Sequence, residues 1–151
     1  MKRTVIWLGA LVLAGGCGAA SAAEKPSADE QAIFNAAGFK VKGDTYTRCE
    51  DDITMSHMPG RIEMEDLNGD GVEEAWVKES SSFCYGNTAE AFVLVSKDKD
   101  KNWVILLDQV GVPVVQKTKS KGWPDIEVGG PGFGKFPVYR YDGKTYVLKK
   151  K

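Results

Sequence analysis

Pro137-Val138-Tyr139-Arg140-Tyr141-Asp142-Gly143-Lys144-Thr145-Tyr146-Val147-Leu148, residues 137–148, reads as two short strands about a tight turn. β-Branched and aromatic residues fill both arms. Asp142-Gly143 between them favours a type I′ turn, whose twist matches that of the flanking strands. The same pattern occurs upstream. Ala91-Phe92-Val93-Leu94-Val95 and Trp103-Val104-Ile105-Leu106-Leu107 flank the polar stretch Lys97 to Asn102, which predicts a second hairpin.

Working outward, each hairpin follows a lone strand candidate, Glu74 to Val77 in the first case and Asp125 to Val128 in the second. A strand, a loop and a hairpin make a three-stranded meander, so the chain carries a faint internal echo. Thr45 to Cys49 and Arg61 to Glu65 add two further strand candidates, and the lysines from 117 to 121 suit a solvated loop or edge strand. The one helical pattern lies near the start. Ser27 and Glu30 form a capping box ahead of Ile33 and Phe34, and Gly38 supplies the stop, which predicts a helix over 28–37. The fold class expected is mainly β, bordering on α+β: an antiparallel curved sheet or small barrel-like meander with one N-terminal helix. Trp76, Trp103, Trp123 and Tyr146 are expected to pack in the core or across strands.

The first residues bear on where such a domain works. Met1-Lys2-Arg3, an apolar run from Val5 to Ala14 and small residues through Ala23 have the make-up of a secretory signal, too short to span a bilayer. Ala20-Ser21-Ala22 fits cleavage after residue 22, which divides the chain into a signal peptide (1–22), a tether (23–27) and a single β-rich domain (28–151). Leu13-Ala14-Gly15-Gly16-Cys17 also resembles a bacterial lipobox, so the alternative is a lipoprotein signal ending before Cys17 and lipidation at that residue. The expected location is the periplasm or outside the cell, with an outer-membrane lipoprotein as the alternative. Without Lys2 and Arg3 the chain is mildly acidic and has no long basic block, which argues against nucleic acid as a partner. No other apolar run approaches a transmembrane helix. An oxidising compartment makes Cys49 and Cys84 candidates for a disulfide, with a free thiol or metal ligand as the other reading.

Asp66-Leu67-Asn68-Gly69-Asp70-Gly71-Val72-Glu73-Glu74 carries the most specific chemistry. Asp66, Asn68 and Asp70 alternate along the chain, Gly71 permits a sharp bend, Val72 can offer its carbonyl and Glu74 a further oxygen. These are hard oxygen donors of the kind calcium takes from a tight turn. They occupy the first, third, fifth, seventh and ninth positions of an EF-hand loop, but Val77 stands at the twelfth and continues a strand pattern. The stretch 66–77 resembles the DxNxDGxxE loop of FG-GAP and related secreted bacterial β-proteins, which starts like an EF-hand and leads into a strand. That resemblance implies Asp66, Asn68, Asp70, Val72 and Glu74 as ligands of a weakly held, structural calcium ion. The propeller of such families does not carry over, because this chain has one copy.

Other candidates are weaker. Met55, His57 and Met58 offer soft and imidazole donors suited to copper. His57 is the only histidine, so a hydrolase would use it with Asp51 or Asp52 and one of Ser80, Ser81 or Ser82, although no spacing marks such a set. Gly129 to Gly134 is glycine-rich but lacks the Lys-Ser/Thr of a phosphate loop. The balance favours a non-enzymatic exported domain that binds another envelope macromolecule, as inhibitors and immunity proteins do. Its expected contacts are Ser80, Ser81, Ser82, Gly130, Gly132 and Phe133.

Overall fold

The computed structural model describes residues 26–132 and 134–150. The expected signal segment, Cys17 and Phe133 lie outside them. The protein is mainly antiparallel β, with ten strands in three sheets among the described residues, none closed into a barrel. Helix α1 (Ala28–Ala36) begins at the capping box: Glu30 N–H donates to Ser27 Oγ at 3.2 Å and Ser27 N–H to Glu30 Oε2 at 2.7 Å. A small hairpin follows, β1 (Lys40–Lys42) with β2 (Thr45–Thr47).

The central sheet is a four-stranded meander of β3 (Met58–Glu65), β4 (Glu74–Ser80), β5 (Glu90–Lys97) and β6 (Trp103–Val110). A short helix, α2 (Ser82–Tyr85), and a 3-10 turn (Gly86–Thr88) join β4 to β5. Strands β4 and β5 are covered on both faces, which is why Ala75 to Val77 and Ala91 to Val95 read as continuous apolar stretches rather than alternating ones. Successive side chains on a strand point to opposite faces. Ala75, Val77, Val93 and Val95 therefore pack under Ile33 and Phe34 of α1, with Phe39 and Tyr46. Trp76, Phe92 and Leu94 face the other way, onto Ile126, Val128 and Tyr146. Of the expected aromatic core, Trp76 and Tyr146 are buried, while Trp103 and Trp123 are half-buried at its margins.

The second four-stranded sheet comprises β7 (Val112–Ser120), β8 (Trp123–Gly129), β9 (Val138–Tyr141) and β10 (Tyr146–Leu148), in the order β10-β9-β8-β7. The chain passes from one sheet to the other at Gly111. A side chain there would put its Cβ 2.4 Å from Val128 Cγ1 and 2.6 Å from the Gly129 carbonyl oxygen, at φ +148°, so only glycine fits the crossing. Each expected three-stranded unit is thus a four-stranded meander. Arg61 to Glu65 belongs to the edge strand β3 of the first, and the lysine-rich stretch belongs to the edge strand β7 of the second.

The 137–148 hairpin forms with its turn one residue later than expected. Tyr141 pairs with Tyr146, and Asp142 N–H donates to the Thr145 carbonyl at 3.0 Å, which leaves Gly143-Lys144 at the tip. The cause is the Asp142 side chain. Its Oδ1 accepts from the N–H groups of Lys144 (2.8 Å) and Thr145 (2.9 Å) and captures donors that an Asp-Gly turn would place elsewhere.

Candidate functional site

The acidic loop joins β3 to β4 and wraps onto its own backbone. Asp66 accepts from Gly69 N–H through Oδ1 (2.8 Å) and from Gly71 N–H through Oδ2 (2.9 Å). Asn68 Oδ1 accepts from Asp70 N–H at 2.7 Å, and Asp70 Oδ1 accepts from Val72 N–H at 2.8 Å. Gly71 stands at φ +86°, the left-handed conformation that the reversal requires. Leu67 is buried in the core facing the second sheet and anchors the loop. Asp66, Asp70 and Val72 lie at the surface, and Asn68 is half-buried.

Glu74 is different. It is 1 % exposed, with Oε2 accepting from Leu67 N–H (2.9 Å) and Oε1 from Ser96 Oγ (3.1 Å). Burial pushes its carboxyl up, and the nearby charges of Asp70 and Asp66 add to that rise against the two hydrogen bonds. In kind, these oxygens fit a hard cation. In arrangement, the loop's carboxylates lie on backbone donors. Among the described residues no three carboxylate, imidazole or thiol groups are gathered as a metal-holding set.

A second cluster lies at the other end of β4, about Glu79. Cys49 and Cys84 form a disulfide, Cα to Cα 6.0 Å, which ties the chain after β2 to α2. Asp52 and Ser81 reinforce the same junction, with Ser81 Oγ donating to Asp52 Oδ2 at 2.6 Å and accepting from Cys84 N–H at 3.0 Å. Inside it, Glu79 has no exposure to water. The hydroxyls of Thr47 and Tyr85 donate to it, His57 Nε2 lies 3.0 Å from Oε1, and the N–H groups of Arg48 and Cys49 point at both oxygens from 3.2–3.3 Å. Burial raises the Glu79 carboxyl, yet the donors outweigh it and the group sits below the usual range. Burial and the Glu79 bond push the Tyr85 phenol up. The Ser81 and Thr54 hydrogen bonds hold Asp52 down at about 2.

His57 is therefore engaged with a buried carboxylate, whereas Met55 and Met58 of the same segment are exposed. None of the three serines is hydrogen-bonded to His57. Ser81 is buried and committed to Asp52, Ser82 is exposed on α2, and Ser80 is half-buried at the end of β4. Gly130 and Gly132 lie in the loop after β8. Glu79 itself went unread in the sequence, although it carried a signal. It is an acid at an odd position of β4, on the face shared by Ala75 and Val77, where a charge needs partners. No protein-family model, curated protein or solved structure matches the chain.

Proposed function

We propose that the protein is an exported, non-enzymatic β-rich domain that binds another macromolecule of the cell envelope, in the manner of an inhibitor or immunity protein. The Cys49–Cys84 disulfide and a weak structural calcium ion on the acidic loop would brace it. One observation carries the reading. Ile53, Met55 and Phe83 are 92 %, 106 % and 65 % exposed, on segments tied together by Cys49–Cys84 and Asp52–Ser81. Large apolar side chains held out from a cross-linked platform have the composition of a contact surface, where pre-ordering lowers the entropy lost on association. Ser80 to Ser82 border this platform. The buried polar groups beside it are occupied in holding the backbone, which suits a scaffold.

Calcium enters through Glu74. A carboxyl raised by burial and by two acidic neighbours is the electrostatic setting that a bound cation relieves. Asp66, Asn68, Asp70 and the Val72 carbonyl would hold the ion, with Glu74 behind them.

The binding reading is tested by capture from envelope extract, comparing the wild type with Phe83→Asp and with alanine changes across 80–82 and 129–134. We expect one partner to be retained by the wild type and lost from at least one variant. If every captured protein stays bound to all of the variants, the assignment of the contact surface is overturned.

A further inference from the structure

We propose that β10 and the crevice beside it form a docking edge for an acidic, extended segment of the partner protein. This rests on the binding reading above and names the chemistry of what is bound.

Charge is divided sharply at Gly111. Residues 26–111 hold seventeen carboxylates against eight lysines and arginines, whereas residues 112–150 hold three against eight. The chain as a whole carries a net charge of −1, which conceals a basic second sheet behind an acidic first one. Two of the three carboxylates of the basic part have local work. Asp125 is buried beneath Arg140 (2.9 Å) and Lys149 (3.1 Å), and Asp142 holds its turn; the third, Glu127, lies on β8 opposite Val138 and is outnumbered there by the lysines. Lys135 and Lys150 have no ion-pair partner among the described residues.

Those two lysines flank a crevice of about 840 Å³ floored by Phe136, Pro137, Val138 and Leu148. Leu148 is 59 % exposed. Apolar floor and cationic rim together select a ligand with apolar and anionic groups. The backbone decides which kind. β10 is the outermost strand of its sheet and among the described residues pairs only with β9, so its far edge presents backbone donors and acceptors that an added strand can use. An acyl chain cannot satisfy them; an extended peptide can. Alternation along such a peptide turns one set of side chains, the apolar one, toward the floor, and the long rim lysines reach the carboxylates that lie beside it. Gly134 directly precedes the crevice residue Lys135.

The test titrates the purified protein with a labelled heptapeptide of alternating glutamate and valine, following anisotropy and backbone amide exchange. Controls are the lysine-for-glutamate peptide, phosphatidylglycerol vesicles and the protein's own concentration dependence. We expect a Kd below about 1 mM at low salt. Binding should weaken at least roughly tenfold when salt shortens the screening length, with amides of 146–150 protected. Lys135→Glu/Lys150→Glu should lose at least about tenfold in affinity at an unchanged Tm, since both side chains are at the surface. Equal binding of the lysine peptide, protection elsewhere, binding of vesicles alone, self-association alone or no binding would each overturn the docking edge. A partner captured from extract that binds Lys135→Glu/Lys150→Glu as tightly as the wild type also overturns it, while the binding reading stands.

Discussion

Glu74 and Glu79 stand at opposite ends of the same strand, both almost wholly shielded from water, and their surroundings push them in opposite directions. Glu74, on the face toward the second sheet, has two donors and two acidic neighbours, and burial prevails. Glu79, on the face toward α1 and β2, has two hydroxyls, an imidazole and two backbone N–H groups, and the donors prevail. Burial alone therefore does not say what a carboxylate in a β-sheet is for. A fully satisfied one organises the chain around it. One with fewer donors, raised by burial beside other acids, is a place where a cation would be stabilising.

The largest effect expected from breaking this contrast is at the Glu79 end. Replacing Cys49 and Cys84 by serine opens a loop with a sequence separation of 35. It should cost about 4 kcal/mol, read from denaturant midpoints. A loss under ~1 kcal/mol would mean that the polar cluster holds the junction unaided. Next comes Glu79→Gln, which removes the charge and turns an amide donor toward groups that already donate. About 2–3 kcal/mol should be lost, and a neutral result would show that the donors find other acceptors.

A smaller effect belongs to the acidic loop. Lacking the twelfth-position ligand, it should bind calcium in the ~0.1–1 mM range. At about 1 mM calcium the gain is then ~0.4–1.4 kcal/mol, seen as a rise in Tm that Asp66→Ala or Asp70→Ala abolishes. No rise in the wild type would remove calcium from the account.

The smallest effect is that of Glu74→Gln, which without calcium should stabilise by less than ~1 kcal/mol. It sharpens the comparison through pH. Glu79 and Asp52 are lowered in the fold, so the stability they contribute is present above their unfolded values near pH 4 and is lost as pH falls, through about 2 for Asp52. Glu74 is raised, so its cost at neutral pH is relieved as pH falls. Removing it should steepen the acid decline of stability, measured by thermal melts from pH 7 down. An unchanged slope would show that Glu74 titrates as it does in the unfolded chain.

Local patterns were legible wherever one stretch of chain carries the cause. The capping box of Ser27 and Glu30, the apolar run of β5 and the arms of the final hairpin all behave so. β7 was half-hidden, because an edge strand exposed on both faces lacks the alternation that marks a strand and carries lysines instead. The hairpin turn shifted because a side-chain acceptor competed with the backbone for its donors. In the acidic loop the spacing of Asp66, Asn68 and Asp70 was plain, but the inward turn of Glu74 was not. It depends on Ser96, on the next strand but far along the chain.

By itself the sequence determined a mainly antiparallel β protein with one capped helix, a cysteine pair and one acidic loop, because periodicity, caps and turn residues act over a few neighbours. Only the tertiary structure decided that the strands form stacked sheets hinged at Gly111. It also decided that His57, Thr47 and Tyr85 meet at Glu79 and that the basic half ends in an open strand edge. Each of these depends on groups brought together across long stretches of chain, where contact is set by which faces the whole fold must bury.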